Sequence, residues 1–236
     1  MKDIIAAALL GLGIFAGLVG LGYQASTSLI AMKTLDRSVT VKGLAEMEVK
    51  ADVAIWPIPF SVVDNDLSQL YQNVSKNSEI IVAFLKEQGF SDAEITNTMP
   101  SIDDRQAQGY SDPNVRYRYG AKATISVYST DVDKVRKAQP LILALLKEGI
   151  TFATDGYDSK VQYLYNDLNT IKPEMIQQAT KNAREVADKF AKDSQSQLGK
   201  IMQASQGQFT ITDRDSNTPY IKQVRVVSTV TYYLID

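Results

Sequence analysis

A chain of 236 residues with 44% hydrophobic and 22% charged side chains has enough apolar material for one large or two small domains, which excludes a disordered chain. Its 25 Lys and Arg against 27 Asp and Glu leave a net charge of −2, and the basic residues are scattered rather than massed, so neither a nucleic-acid footprint nor a polybasic lipid patch is present. Cysteine and histidine are both absent; this removes thiol nucleophiles, disulfides, zinc sites of the usual ligand set and the commonest general base, while the lack of stray thiols suits export to an oxidising space.

The chain opens on "IIAAALLGLGIFAGLVGLG", Ile4 to Gly22, without a charge, hydroxyl or amide. As a helix these residues reach roughly 28 Å, close to the hydrocarbon thickness of a bilayer. A cleaved secretory signal has a shorter apolar stretch and small residues at the cleavage positions; cleavage after Ala25 would put bulky Tyr23 at the third position back. The expectation is an uncleaved transmembrane signal anchor over residues 4–23. Lys2 and the α-amino group precede it, whereas Lys33 and Arg37 follow at some distance. Residues 1–3 are therefore read as a short cytoplasmic end, and the rest as lying on the outer side of an inner (cytoplasmic) membrane crossed once. Gly13 and Gly17 make a GxxxG, and Gly20 with Ala16 adds small positions, so two such helices could approach closely in the bilayer. Glycine and alanine are also ordinary in membrane helices, and both readings stand at this point.

Residues 24–37 read as a polar connector, and the domain runs over residues 38–236. Val39 and Val41, then Met47 and Val49, alternate with polar residues as a half-buried strand requires, and Lys42-Gly43 between them is expected to mark a bend or bulge. A second strand begins near Val53. It contains "WPIPF", whose Pro57 and Pro59 cannot donate to a ladder, so this stretch is expected at a sheet edge, a bulge or a contact surface. Trp56, the single tryptophan, is read both as core packing and as part of that surface.

Leu67, Leu70, Tyr71, Val74, Ser78, Ile81, Phe84 and Leu85 form one helical stripe, with Asp66 as N-cap and Gly89 as stop. "EITNTMPSIDDRQAQGYSDPNVRYRYGAKATISVYS" then reads as two strands joined by a turn around "GYSDPN". A second helix, "DVDKVRKAQPLILALLKEG", should turn Val132, Val135, Ile142, Leu145 and Leu146 inward, be interrupted at Pro140 and end at Gly149. The strand "VQYLYND" follows. A third helix opening at Lys172-Pro173 carries Ile176, Ala179, Ala183, Val186 and Phe190 on one face, and two closing strands end the chain. The order ββαββαβαββ lacks strict βαβ alternation, so the fold class is α+β: helices packed on a mainly antiparallel sheet, preceded by one transmembrane helix.

Three blocks, "SVTVKGLAEMEVKADVAIWPIPFSV", "YGAKATISVYSTDVDKVRKAQPLILALLKEGI" and "ATKNAREVADKFAKDSQSQLGKI", together resemble the SIMPL-domain family of bacterial envelope proteins. In that family the first block reads V-x-G-x-G before P-D-x-A. Gly43 matches the first glycine, Glu46 sits near the second, and "ADVA" puts Ala51 in place of the proline while keeping Asp52 and Ala54. The third block keeps Ala183, Ala187 and Ala191 and ends in Leu198-Gly199. The resemblance runs from Ser38 to the C-terminus. It implies an exported or membrane-anchored protein of a family in which some members self-associate, with stress tolerance sometimes attached, and it supplies no catalytic residue.

Among local patterns, "DRDSN" at Asp213 to Asn217 has D-x-D-x-N spacing but holds Thr218 and Val224 where an EF-hand loop needs Gly and Glu, so a solvated hairpin turn is expected rather than a metal site. Serines lack a histidine partner and any G-x-S-x-G elbow, and no phosphate-binding glycine loop follows a strand. Tyr117 and Tyr119 are expected on one strand face with Arg116 and Arg118 on the other, a pattern suited to stacking on an extended partner and equally to a half-buried sheet. The leading expectation is thus a membrane-anchored, non-enzymatic envelope protein without cofactor or metal, whose partners are the bilayer and itself. Its domain would lie in the periplasm or outside and assemble into a homo-oligomer, ring-like in one form. The contacts expected are Gly13, Gly17 and Gly20 in the span, with Trp56, Pro57, Pro59, Tyr117 and Tyr119 in the domain. The rival is a solute, carbohydrate or cation binder, or an enzyme independent of histidine.

Overall fold

The computed structural model describes residues 11–26, 37–107, 116–153 and 159–235. Residues 11–26 form helix α1, and among the described residues no helix is long and apolar enough to cross a membrane. Residues 4–10, which open the apolar run, most of the connector (27–36) and the "GYSDPN" turn at 109–114 lie outside the described residues.

After α1 come β1 (Ser38–Lys50), β2 (Val53–Asp64), α2 (Leu67–Glu87), β3 (Ile95–Asn97), β4 (Ser101–Asp104), β5 (Tyr119–Ser129) and α3 (Val132–Ala138). A 3₁₀ helix (Gln139–Glu148), β6 (Thr151–Phe152), β7 (Gln162–Leu164), α4 (Leu168–Asp193), β8 (Gln197–Gln206), β9 (Thr210–Asp213) and β10 (Ile221–Ile235) complete the order. The fold is α+β with antiparallel pairing, as expected. The strands divide between two sheets instead of one: a four-stranded sheet of order β1-β10-β8 with β9 on β10, and a six-stranded sheet of order β3-β5-β2-β6 with β4 on β5 and β7 on β2. By contacts the chain has two compact units, the described residues of Met1–Met47, Ile171–Thr210 and Arg225–Asp236 in one, and those of Glu48–Thr170 and Ile211–Val224 in the other.

In the second unit β2 and β5 pair along their whole length, from Ala54 opposite Ser129 to Asp64 opposite Tyr119. The period of two sends Ala54, Trp56, Ile58 and Phe60 with Ala121, Ala123, Ile125 and Val127 into one buried face. Helix α2 supplies Leu70, Val74, Ile81, Phe84 and Leu85 to the same core. Its start is fixed by Asp66, whose side chain accepts from the Gln69 N–H at 2.8 Å, and its end by Gly89 at φ 86°. Leu67 and Tyr71, expected on the stripe, are exposed: four residues apart, they lie together on a flank of α2 turned away from the face that buries Leu70 and Val74.

The 3₁₀ segment departs from the expected helix. Pro140 lies in its first turn and ends the α-geometry at Ala138, as the missing N–H requires. With three residues per turn, Ile142 and Leu145 share the inward face, and Leu146 is rotated out to solvent, contrary to the helical stripe.

In the first unit α4 begins at Leu168, before the expected Lys172, so Pro173 falls inside the helix. Its buried face is Met175, Ala179, Ala183, Ala187 and Ala191; Val186 and Phe190, expected inward, are exposed. Every fourth residue is small because a strand lies against them. A Cβ on Gly43 would stand 1.9 Å from the Ala179 carbonyl oxygen and 2.4 Å from the Ala183 nitrogen. Lys42-Gly43 therefore does not bend β1, which runs unbroken through it; the glycine permits close approach to α4. Val41, Val230 and Tyr232 close this core around Ala183 and Ala187.

Candidate functional site

The proline-bearing stretch of β2 is the feature from which a site can be built. Residues of a strand alternate the side to which their N–H and C=O groups point. Prolines at 57 and 59 have no N–H, and both face away from β5. On that side Val53, Ala54 and Ile55 pair with β7, and Phe60 and Ser61 with β6. The Pro59 carbonyl accepts from the Ala153 N–H at 2.9 Å. Between those two short partners, Trp56 to Ile58 has no ladder partner on that side among the described residues. The two prolines thus hold open a gap in a strand that is otherwise paired on both sides.

A recess of about 450 Å³ lies over the gap, lined by Pro57, Pro59, Pro140, Ile142, Leu143 and Phe152 among others. Leu143 is 62% exposed, and the neighbouring Leu141 and Leu146 of the 3₁₀ helix are about half exposed. A cluster of exposed leucines beside an apolar recess is the signature of a surface that gains by being covered. Trp56 contributes from below: it is 4% exposed, and its ring meets Phe90 edge-on at 6.4 Å. The half-buried Pro57 and Pro59 are the accessible members of the group.

Tyr117 and Tyr119 lie elsewhere, near and at the start of β5. The arginines do not occupy a separate face as alternation predicts: the Arg116 guanidinium lies 5.6 Å from the Tyr117 ring centre and that of Arg118 lies 4.8 Å from Tyr119. Arg118 also donates to Asp104 at 2.9 Å, an ion pair that holds the Asp104 carboxyl below its ordinary value. Asp104 stands on β4 opposite Tyr119, so the ion pair holds Arg118 beside that residue, and Tyr119 packs partly against the core.

The glycines of α1 stand in open surroundings, with nothing within 4 Å of a Cβ built on Gly13, Gly17 or Gly20. The acidic pattern at "DRDSN" forms a turn. Asp215 accepts from the Asn217 and Thr218 N–H groups, both at 2.8 Å, and pairs with Arg214, while Asp213 pairs with Lys222. Among the described residues no group of three acidic side chains is arranged to hold a metal ion.

Two polar fixtures escaped the sequence reading. Asp52 clamps the turn before α4, accepting from the Asn166 and Asp167 N–H groups at 2.7 and 2.8 Å, with its Oδ1 buried and without a hydrogen-bond partner. Its place in the ADVA block marked the residue but gave no role. Glu94 accepts from Ser129 at 2.6 Å, from Lys134 at 2.9 Å and from Ser91. Burial raises its pKa, but the bonds from Ser129, Ser91 and Lys134 outweigh burial and hold the carboxyl at about 2. The S-x-x-E spacing of Ser91 and Glu94 is a local signal for one of these bonds; Ser129 and Lys134 come from separate elements and leave none.

A family model, SIMPL, described as a protein of unknown function (DUF541), matches residues 39–232. No curated protein matches the chain.

Proposed function

The chain belongs to the SIMPL family, and from that premise we propose that it is a membrane-anchored envelope protein, without enzymatic activity, whose domain from Ser38 onward self-assembles into a homo-oligomer. The anchor is the apolar run from Ile4 to Gly22, a single span of the inner membrane that leaves the domain in the periplasm. Stress tolerance is the setting that the family resemblance lends to it. The observation that carries the assembly reading is the gap at Trp56 to Ile58, with its apolar recess and the exposed Leu143 beside it.

A second copy is the occupant that fits. Burying exposed leucines and proline rings is favourable at about 25 cal/mol per Å², and the stretch has no N–H at either proline and the Pro59 carbonyl already bonded to Ala153, so it welcomes side chains and a donor to Pro57 rather than a full strand. A contact between unlike patches of neighbouring copies closes into a ring if its rotation closes. The glycines of the span add a second contact within the bilayer.

The deciding measurement is the mass of the full-length protein in mild detergent beside a chain that starts at Ser38. A discrete oligomer of both forms places assembly in the domain. An oligomer of the full-length form alone moves the contact to Gly13, Gly17 and Gly20, and a monomer in both at all concentrations refutes self-assembly.

A further inference from the structure

A second cavity, of about 650 Å³, lies within the second unit and is more polar than the recess at β2, polar and apolar groups sharing its walls about equally. Its walls include Arg136 and Gln139 at the junction of α3 and the 3₁₀ helix, Lys160 before β7 and Tyr163 on it, and Asp213, Asn217 and Tyr220 on the β9–β10 connection and its flanks. Two features of these walls call for a ligand.

The first is the Tyr163 hydroxyl. The side chain is only 7% exposed, yet the hydroxyl makes no hydrogen bond to any described residue, and it lines the cavity. Burial also raises its pKa, which keeps it a donor at neutral pH. The ring is buried while the hydroxyl opens onto the cavity, so a ligand there can take the place of water as its partner.

The second is Arg136. Its guanidinium carbon lies over Tyr220, 3.5 Å from the ring centre, and Tyr220 is braced edge-on by Tyr163 at 6.1 Å. One nitrogen, NH1, donates to Asp133 at 3.2 Å; the other N–H groups make no hydrogen bond to the described residues. Asp133 is shared with Lys50, so the group of three retains one positive charge. A guanidinium stacked on a ring has lost rotational freedom before any ligand arrives, and its planar fork matches a carboxylate.

We propose that this cavity binds a small hydroxylated monocarboxylate of the uronic-acid class. The carboxylate takes the free edge of Arg136 and the Tyr163 hydroxyl. The amides of Gln139 and Asn217, each with a donor and an acceptor, take the ligand hydroxyls. Lys160 is a second cation of the lining; Asp213, paired with Lys222, also lines it, and with Asp213 and Asp133 both close by, a singly charged carboxylate suits the site better than doubly charged phosphate. The volume lies within the range of small-molecule sites. This inference goes beyond self-assembly and does not depend on it.

The test is thermal unfolding and calorimetric titration of the full-length chain in mild detergent, with glucuronate as the probe and glucose and inorganic phosphate as comparators. Glucuronate is expected to raise the unfolding temperature in a concentration-dependent way, and the comparators to leave it unchanged. Tyr163→Phe removes one hydrogen bond and keeps the ring; it should weaken glucuronate binding about fivefold. Arg136→Gln should weaken it by about thirtyfold or more. Asn217→Asp, on an exposed turn, should abolish it by setting a carboxylate against the ligand. Failure of glucuronate to bind the unaltered chain overturns the proposal. Equal binding of glucose or phosphate overturns the assignment of a carboxylate. Unaltered affinity in both Tyr163→Phe and Asn217→Asp overturns the location.

Discussion

Replacing Gly43 by alanine tests the packing on which the first unit depends. The added methyl would meet the Ala179 carbonyl oxygen at 1.9 Å, the Ala183 nitrogen at 2.4 Å and the Ala183 Cβ at 2.8 Å. The two nearest atoms are helix backbone, so no rotamer change relieves the clash; β1 or α4 must retreat by about 1.5 Å to restore van der Waals contact. Overpacking a closed core costs about 1–3 kcal/mol, and a contact with backbone belongs at the top of that range, near 3 kcal/mol. For a chain of this size that lowers the unfolding temperature by about 6–12 °C. Gly89→Ala is the fitting comparison. Its Cβ would meet nothing within 4 Å, but the residue has φ +86°, so its cost is pure backbone strain of about 1–2 kcal/mol. Both are measured by thermal unfolding followed by circular dichroism. Adding Ala183→Gly to Gly43→Ala should not rescue it, because the obstructing atoms remain. Gly43→Ala within 0.5 kcal/mol of the parent, or a full rescue by Ala183→Gly, would refute close backbone packing as the reason for the glycine.

The Glu94 carboxyl lies at about 2 against an ordinary value of 4.5. Because the folded value is the lower one, its stabilisation is complete above pH 4.5 and is lost as the pH falls towards 2. The shift corresponds to at most about 3 kcal/mol, less what solvent screening removes. Acid titration of stability should show that loss in the parent and a flatter profile in Glu94→Gln; identical profiles would show that the network contributes nothing. Asp52→Ala strips the acceptor from the Asn166 and Asp167 N–H groups and should cost about 2 kcal/mol in urea unfolding, with Asp52→Asn costing less because it keeps one acceptor. Leu143→Asp, at a side chain 62% exposed, should leave monomer stability within about 0.5 kcal/mol and reduce the oligomer mass in detergent; an unchanged mass would remove the β2 recess from the interface.

How much was legible follows from how local each signal is. Helix α2 could be read nearly whole because its cap, stripe and stop, Asp66, Leu70 to Leu85 and Gly89, lie within one stretch of chain. The prolines at 57 and 59 announced a break in pairing for a reason internal to the residue, and the break is there, although in a strand with partners on both sides elsewhere. In α4 the apolar pattern misled: Val186 and Phe190 are larger and more hydrophobic than the alanines that are buried instead. Size, not hydrophobicity, decides there, since β1 comes so near at Gly43 that only a methyl-bearing face fits. That is a fact about two segments far apart in sequence, and neither contains it alone.

The same reasoning explains why a site was harder to see than a fold. Arg136 reads as one basic residue on a short helix, Tyr163 as one inward position of a strand and Tyr220 as the end of a turn. Only the fold puts the guanidinium 3.5 Å above one ring and the second ring 6.1 Å from the first. A chain without histidine or cysteine has no residue whose mere presence advertises chemistry. Its recognition must therefore come from juxtaposed ordinary groups, a stacked arginine, an unpartnered phenol and two amides, and these become visible when tertiary contacts fix what each has left unbound.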